Sequence, residues 1–333
     1  MQTITLGRNG PEVSVLGLGC MGMSPGIYGT SDEAESIATL RAAVDAGVTL
    51  IDTGDFYGMG HNEMLIRRAL DGVPRQRLVY SVKFGALRGP DGSWGGNDGR
   101  PQAVKNFLAY SLQRLGTDYI DIYRPARLDP AVPIEDTIGA IADMVRAGYV
   151  RHIGLSEVGA ATIRRAHKVH PICDLQIEYS LMSRGIEQAI LPATRELGIA
   201  ITAYGVLSRG ILSGRTPAAS SKGDIRVVRM PRYAQGNLER NLALVATLGA
   251  IGKEKGATAA QLAIAWARSR GSDIVPVIGA RRRVQLDESL GALRLTLTAG
   301  DLARIDAAVS PELTSGERYD PTQMAHLDSE AQH

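Results

Sequence analysis

The 333-residue sequence predicts an α/β fold, and more specifically a (β/α)8 TIM barrel formed by one domain over residues 1–333. Short β-rich runs alternate with amphipathic helical segments of about ten to sixteen residues, which is typical of parallel strands joined by crossover helices. This unit of strand and helix occurs eight times. No second apolar core divides the chain. A closed barrel is therefore favoured over an open doubly wound sheet.

The predicted strands are apolar runs bounded by turn residues. They are expected at 13–21, 49–57, 78–85, 119–124, 150–156, 174–180, 200–207 and 273–280. The helices between and after them are expected at 32–47, 62–70, 102–116, 134–148, 161–170, 186–198, 258–271 and 282–293. Several close on a glycine, such as Gly116 and Gly198, as expected where the residue after a helix takes a positive φ.

Three further segments lie outside these units. Residues 3–16 contain two β-like pieces around an Arg-Asn-Gly-Pro-Glu turn, which predicts a β-hairpin that covers one end of the barrel. Two long βα loops, 85–100 and 208–237, follow strands on the side where barrel enzymes place their active sites. The polar tail, about 310–333, is expected to be loosely attached.

The composition excludes several classes of partner. The chain has 37 lysines and arginines against 35 acidic residues, too balanced to predict binding to nucleic acid or an anionic membrane. No segment resembles a secretory leader or reaches the ~18 apolar residues of a membrane span. Cys20 and Cys173 lack the spacing of a disulfide framework or a metal site. We therefore expect a cytoplasmic protein with reduced cysteines and no metal.

Ionisable residues follow two neighbouring predicted strands. The second strand ends in IDTGDFYG, which contains Asp52 and Tyr57, and the third ends in SVKFG, which contains Lys83. Because the strand ends share one face of a barrel, we expect these side chains to lie together. The carboxylate and the ammonium would compensate each other, and the ammonium would lower the pKa of Tyr57. The trio suits carbonyl and alcohol interconversion, although each residue alone also fits a structural role.

Seven segments resemble, in chain order, the signature segments of the aldo-keto reductases. They are DTGDFYGMGHNE, SVKFG, DYIDIYR with RLDP, VRHIGLSE, LQIEYSL, ITAYGVLSRGILSG and VPVIGARRRVQLDESLGAL. The resemblance covers about residues 3–309. It implies a barrel that binds NADP(H) across its C-terminal face and reduces aldehydes or ketones without a metal. It also implies that Tyr57 is the proton donor, tuned by Lys83 and Asp52.

The same resemblance assigns the cofactor contacts. Ser156 and Gln176 resemble residues that hold the nicotinamide carboxamide, and Tyr204 resembles the ring that stacks on the nicotinamide. Residues 205–214 resemble the loop around the pyrophosphate, and a plain glycine-rich turn explains this segment equally well. The expected cofactor residues are Ser156, Glu157, Gln176, Tyr204, Gly205, Val206, Leu207, Ser208, Arg209, Gly210, Leu212, Gly214, Gly279, Ala280, Arg281, Gln285, Glu288 and Ser289.

The form of the cofactor is predicted from residues 281–283, three arginines that open the last predicted helix. Three cations in a first turn oppose the helix dipole unless an anion is bound there. A 2′-phosphate would resolve the conflict, and a solvated basic corner is the alternative. Glu288 matches the acidic residue of the family on the adenine side, whereas Gln285 and Ser289 replace its usual arginine and asparagine. We therefore expect NADP(H) rather than NAD(H).

The largest departure from the family pattern is Ala126, in YIDIYRPARLDP. The family usually has a histidine here that orients the substrate carbonyl, whereas alanine has no donor or acceptor. In one interpretation the enzyme works with Tyr57 alone and accepts a bulkier substrate. In another, Arg124 shares a strand face with Ala126 and reaches upward as a substitute donor. In the third, the protein binds cofactor but turns over poorly, as a regulatory module.

The predicted function is the reversible NADPH-dependent reduction of an aldehyde or ketone, a small-molecule substrate. The alternatives are the regulatory NADPH-binding protein and an aldolase that forms a Schiff base through Lys83. Neither the substrate nor the oligomeric state is indicated by the sequence.

Overall fold

Eight parallel strands close into a barrel in the computed structural model, which describes residues 1–217 and 223–331. Around the barrel the order is β3, β4, β5, β8, β9, β10, β11 and β12, which returns to β3, so the (β/α)8 prediction is confirmed. Each predicted strand is present, most of them with tighter bounds. The strands are β1 (Thr3–Thr5), β2 (Glu12–Ser14), β3 (Gly17–Gly19), β4 (Leu50–Gly54), β5 (Val79–Phe84), β6 (Ala86–Arg88), β7 (Trp94–Asn97), β8 (Ile120–Pro125), β9 (Val150–Ser156), β10 (Ile172–Glu178), β11 (Ala200–Tyr204) and β12 (Ile274–Gly279).

The helices surround this barrel, and each predicted helix is found. They are α1 (Glu33–Asp45), α2 (His61–Ala69), α3 (Pro101–Leu115), α4 (Ile134–Arg146), α5 (Ala160–Val169), α6 (Ile190–Leu197), α7 (Ile225–Arg229), α8 (Asn237–Glu254), α9 (Ala259–Ser269), α10 (Arg283–Gly291), α11 (Ala299–Ala308) and α12 (Pro321–Ala325). Helices α7, α8, α11 and α12 were not predicted. Helix α8 precedes α9 with no strand between them. A prediction that assigns one helix to each strand therefore omits it.

The barrel strands are apolar because they are buried on both faces. All residues of β5, β8 and β10 are buried. At the N-terminal end, strands β1 and β2 pair antiparallel, and the connection between them inserts Leu6 into a cluster with Leu50, Val79 and Ile122 of the barrel. The hairpin therefore closes the end of the barrel opposite the strand ends that carry Asp52 and Lys83.

The two long loops contain short elements of secondary structure. Within 85–100, strands β6 and β7 form an antiparallel hairpin. Within 208–237 the structure shows a 3-10 turn at Ser208–Ser213 and helix α7, whereas 218–222 lie outside the described residues. No described helix has the length and apolar character needed to cross a membrane. Cys20 and Cys173 are both buried and form no disulfide.

The prediction of a loosely attached tail is wrong for residues 310–331. Arg318 is 6% exposed and forms a bidentate ion pair with Glu157, with Nη atoms 3.0 and 2.6 Å from the carboxylate oxygens. Leu327 is buried as well. The polar composition of the tail predicts exposure to solvent. Composition does not show that Arg318 pairs with a buried carboxylate at the mouth of the barrel.

Candidate active site

A cavity of about 1180 Å³ lies at the carboxyl ends of the barrel strands. Its walls come from the strand ends, from the two long loops and from residues 319–323 and 326–327 of the tail. Asp52, Tyr57 and Lys83 all line it. The three side chains that were expected to lie together at the strand ends therefore line one cavity.

Asp52 and Lys83 form a buried ion pair at the bottom of this cavity. Lys83 Nζ lies 2.6 Å from Asp52 Oδ1, and each residue is 4% exposed. The register pairs Asp52 with Ser81, so Lys83, two residues further along β5, points to the same side. The second oxygen, Oδ2, accepts hydrogen bonds from Ser81 Oγ at 2.9 Å and Gln176 Nε2 at 2.7 Å. Burial lowers the pKa of Lys83, and the Asp52 carboxylate opposes that shift.

Tyr57 lies beside this pair in the turn after β4. Its ring centroid is 5.1 Å from Lys83 Nζ, and the ring of Phe56 meets it edge to face at 4.8 Å. Burial raises the pKa of Tyr57 well above its ordinary value, the Asp52 carboxylate raises it further, and the Arg127 guanidinium lowers it. The prediction of a lowered pKa is therefore wrong in its net direction, because desolvation of the phenolate outweighs the nearby cations.

Arg124 does not reach the cavity, which corrects its assignment as a substitute donor. Its side chain is fully buried within the barrel, where Nη1 lies 2.8 Å from Asp174 Oδ2 and Nη2 donates to Ser81 Oγ at 2.9 Å. Strand periodicity correctly places Arg124 and Ala126 on one face. The Asp174 carboxylate nevertheless holds the guanidinium below the mouth, and only the methyl group of Ala126 lines the cavity.

Arg127 is the cation that does line this corner, and the sequence reasoning gave it no role. Its Nη1 donates to Ala126 O at 2.7 Å and lies 3.5 Å from Ser156 Oγ, while Nη2 lies 3.4 Å from Tyr319 Oη. All three partners are neutral. The signal for Arg127 was its place directly after Ala126, just past the end of β8.

Most of the predicted cofactor residues line the cavity. Gln176 Nε2 is used by Asp52, which leaves its Oε1 as an acceptor, and Ser156 Oγ is a second polar group at the strand ends. The segment after β11 turns sharply, with positive φ at Gly205 and Gly210. The cavity-lining members of the predicted set are Ser156, Gln176, Tyr204, Gly205, Val206, Leu207, Arg209, Gly210, Gly279, Ala280, Arg281, Gln285, Glu288 and Ser289.

Ser208, Leu212 and Gly214 are predicted cofactor residues that do not line the cavity. Ser208 is 1% exposed and accepts a hydrogen bond from Arg232 Nη1 at 3.1 Å, and Leu212 is part of the apolar core. Gly214 is the residue that ends the 3-10 turn, with a φ of 66°. These residues lie on the side of the loop that faces away from the cavity.

Glu157 is the fourth predicted residue outside the cavity wall, because it serves the tail instead. Besides Arg318, it accepts hydrogen bonds from Tyr204 Oη at 2.7 Å and Ser329 Oγ at 2.9 Å. Burial alone would raise the pKa of Glu157, but Arg318 overcomes this and holds it well below its ordinary value. Tyr204 Oη also lies 2.8 Å from Tyr319 Oη, so Tyr204 is linked to the tail twice.

The three arginines at the start of α10 have different surroundings. Arg281 lines the cavity and donates to the backbone oxygens of Tyr28 at 2.8 Å and Thr30 at 3.2 Å. Arg283 is exposed and paired with Glu35 at 2.9 Å, and Arg282 is not among the cavity residues. Only Arg281 is therefore placed to meet a bound anion.

The adenine-side residues pair partly with one another. Gln285 Oε1 accepts from the Arg281 backbone N–H at 3.1 Å, and Ser289 Oγ donates to Gln285 O at 2.8 Å. Glu288 forms an ion pair with Arg215 at 2.7 Å. The Arg215 pairing was not predicted, because the two residues are far apart in the chain.

Aromatic residues that the sequence reasoning missed also form the cavity wall. Phe56 and Trp94 meet edge to face, with ring centroids 6.4 Å apart, and Tyr28 and Tyr319 complete the set. Trp94 carried a weak signal as the one aromatic residue in the glycine-rich loop 85–100. Tyr319 carried none, because its position depends on the Arg318 ion pair.

The donor set of the cavity fits an extended dinucleotide. Ser156 and Gln176 offer a hydroxyl and a free amide oxygen beside Tyr57, as a carboxamide requires. Arg281 has no carboxylate within 4.0 Å among the described residues, and Cβ at Gly279 would meet no atom within 4 Å, so the backbone there borders open space. In the described ranges, no cluster of three or more histidines, cysteines or carboxylates is arranged to hold a metal ion.

Comparison with known proteins places this arrangement in a family. Residues 15–310 match the Aldo/keto reductase family. A curated relative from Glycine max, described as "Probable aldo-keto reductase 1", is 40% identical over 321 residues, which is 96% of this chain and 92% of the relative.

Solved structures are similar over most of their length. A glycerol dehydrogenase from Gluconobacter oxydans is 25% identical and superposes with a TM-score of 0.82, covering 92% of this chain and 94% of its own. An aldo-keto reductase from Bacillus halodurans in its holo form is 26% identical, with a TM-score of 0.78 and coverage of 93% and 97%.

Proposed function

Because the chain belongs to the aldo/keto reductase family, we propose that it catalyses the reversible NADPH-dependent reduction of an aldehyde or ketone to an alcohol, with Tyr57 as the proton donor. Its family makes the chain an oxidoreductase that acts on carbonyl and alcohol groups with a nicotinamide cofactor. The observation that carries the finer assignment is the 2.6 Å ion pair of Asp52 and Lys83 directly beside the Tyr57 ring.

NADPH, when bound, supplies a hydride for the carbonyl carbon. Tyr57 Oη donates a proton to the carbonyl oxygen, and in the reverse direction the phenolate accepts the proton of the alcohol. Lys83 stabilises the phenolate, and Asp52 keeps Lys83 charged and fixed in place. Since the pKa of Tyr57 is raised by burial, the hydroxyl carries its proton at neutral pH, as reduction requires.

Ser156 and Gln176 would hold the carboxamide, and Tyr204 would lie against the nicotinamide ring. The turn at 205–214 would surround the pyrophosphate. Arg281 would bind the 2′-phosphate, which supports NADPH over NADH. Those of these residues that line the cavity are neutral or cationic, in keeping with a polyanionic cofactor.

The test of the donor is Tyr57→Phe. We expect carbonyl reduction to fall by about 10²–10⁴-fold, the usual contribution of a positioned general acid, while the Kd of NADPH, measured by fluorescence titration, stays unchanged. Tyr110→Phe, on the exposed face of α3, is the matched control. Full carbonyl reduction by Tyr57→Phe would refute the assignment of the donor.

The test of the cofactor is Arg281→Met with Arg283→Met as its control. Loss of Arg281 should weaken NADPH binding by about tenfold or more, since a charge-assisted hydrogen bond contributes about 1.5–3 kcal/mol, and leave NADH binding nearly unchanged. Loss of Arg283, which is paired with Glu35 outside the cavity, should affect neither. Equal loss for both cofactors with Arg281→Met would contradict recognition of the 2′-phosphate.

A regulatory NADPH-binding protein is the second candidate, and the observation in its favour is the methyl group of Ala126 on the cavity wall. Tight NADPH binding with negligible turnover across a broad panel of aldehydes and ketones would establish it. The ion pair of Lys83 with Asp52 disfavours the Schiff-base aldolase, because the amine would have to lose its proton and its partner before it could attack a carbonyl.

A further inference from the structure

The corner of the cavity next to Ala126 contains an arginine that forms no ion pair with any carboxylate of the described residues. Arg127 lines the cavity, and its hydrogen-bond partners are the Ala126 carbonyl, the Ser156 hydroxyl and the Tyr319 hydroxyl. Across the described ranges, no carboxylate lies within 4.0 Å of its guanidinium. Burial lowers the pKa of Arg127, but Tyr204, Tyr319 and Glu157 together outweigh this, so the guanidinium stays charged although no described carboxylate is paired with it.

Three other arginines near the carboxyl ends of the strands each have a carboxylate partner. Arg124 is paired with Asp174 at 2.8 Å, Arg318 with Glu157 at 2.6 Å and Arg209 with Glu178 at 2.9 Å. The Glu157 carboxylate, which interacts with Arg127 at longer range, is therefore already paired with another guanidinium group.

The position of Arg127 relates it to the reacting group rather than to the cofactor phosphates. Its charge lowers the pKa of Tyr57 and also that of Lys83, so the guanidinium is electrostatically coupled to both. Ser156, which it approaches at 3.5 Å, stands at the carboxamide end of the cavity. The Asp52 carboxylate is paired directly with Lys83, whereas Arg127 interacts only at longer range with the Glu157 carboxylate, which is paired with Arg318.

A guanidinium binds a carboxylate through two parallel hydrogen bonds. The small side chain of Ala126 leaves room for such a group where a histidine would occupy the wall. On the basis of the function proposed above, we propose that Arg127 anchors the substrate and that the preferred substrates are oxo acids, in which a carboxylate lies close to the reacting carbonyl. Arg127 thus takes over, for these substrates, the orienting role of the absent imidazole.

The first test compares benzoylformate with its methyl ester on the wild-type enzyme, since the two share one carbonyl and differ in one charge. We expect kcat/KM to be about 10- to 100-fold higher for the acid, as charge-assisted hydrogen bonds from one arginine imply. Equal kcat/KM values, or a preference for the ester, would overturn the proposal while leaving the carbonyl-reductase function intact.

The second test uses Arg127→Met and Arg127→Lys. Arg127→Met should lower kcat/KM for the acid by about 10- to 100-fold more than for the ester, mainly through KM. Arg127→Lys keeps the charge but cannot form the two parallel hydrogen bonds, so its kcat/KM for the acid should lie between those of wild type and Arg127→Met. Arg164→Met, on the surface of α5, is the control for loss of an arginine. Equal losses for acid and ester, or a matching loss of NADPH affinity, would contradict the proposal.

A binding measurement separates this inference from the proposed reaction. Oxamate resembles a short 2-oxo acid and is not reduced, so its binding to the NADP⁺-saturated protein can be followed by calorimetry. We expect a Kd at least tenfold weaker for Arg127→Met than for wild type, whether or not the protein turns over a carbonyl. Reduction of neither benzoylformate nor its ester would count against the proposed function, whereas oxamate binding that is indifferent to Arg127 would count against the anchor.

Discussion

Asp55, just after β4, is a buried carboxyl group whose charge the fold disfavours. It is 7% exposed, and within the described part of the chain neither of its oxygens accepts a hydrogen bond of good geometry, although the backbone N–H groups of Gly85 and Phe56 lie near it. Burial raises the pKa of Asp55 to about 7, the neighbouring Glu63 carboxylate adds to this, and the backbone N–H groups of Gly85 and Phe56 only partly oppose it. Asp55→Asn keeps the shape of the side chain and removes the charge.

The pKa of Asp55 rises from an ordinary 3.8 to about 7, which at about 1.36 kcal/mol per pH unit amounts to roughly 4 kcal/mol. Because the folded state binds the proton more tightly than the unfolded state, this cost is absent below pH 3.8, grows as the pH rises and is complete above about pH 7. Between pH 5 and pH 8 about 3 kcal/mol of it should develop.

Urea unfolding of wild type and Asp55→Asn at pH 5 and pH 8 measures this directly. The stability of the variant relative to wild type should increase by about 3 kcal/mol between the two pH values, since other titrating groups cancel in the difference. Asp71→Asn, on the surface, controls for the removal of a negative charge. A relative stability of Asp55→Asn that is the same at both pH values would refute the reasoning.

Three further predictions concern the support of the site. Arg124→Met should destabilise the protein by about 3–5 kcal/mol because it leaves Asp174 buried without its partner, and Arg124→Met with Asp174→Leu should regain most of this in urea unfolding. Arg318→Met should lower the free energy of unfolding by about 3–5 kcal/mol and make the tail accessible to limited proteolysis. The difference in stability from wild type should become smaller as the pH falls below 4.5, because Glu157 is then protonated in the unfolded state. Gly210→Ala, at a φ of 110° with Cβ only 2.7 Å from Arg215 O, should cost about 1–3 kcal/mol and weaken NADPH binding, whereas Gly249→Ala in α8 should not destabilise.

The sequence predicted the barrel well because its signal is local. Strands such as β5 and β10 are continuous apolar runs, and helices such as α3 and α4 show an apolar face followed by a glycine, so each could be recognised without its neighbours. Asp52 and Lys83 were brought together by the general geometry of strand ends in a barrel. Helix α8 was missed because it adds a second helix to one βα unit.

The site was predictable only as far as backbone position decides it. The period of two along β8 predicts that Arg124 and Ala126 share a face. It does not predict that Asp174 forms an ion pair with Arg124 inside the barrel and keeps its guanidinium out of the cavity. The role of Glu157 depends on Arg318, and the raised pKa of Tyr57 depends on how completely it is buried. Such outcomes are set by side chains far apart in the chain, which no local pattern encodes.

The ion pair between Arg318 and Glu157 also bears on how the protein is made. Its partners are 161 residues apart, so a ribosome must add nearly half of the chain after Glu157 before that carboxylate meets its counter-ion. The barrel strands, which end at Gly279, can close earlier. A nascent chain would thus hold a barrel whose cavity still lacks the part of its wall that residues 319–323 and 326–327 supply.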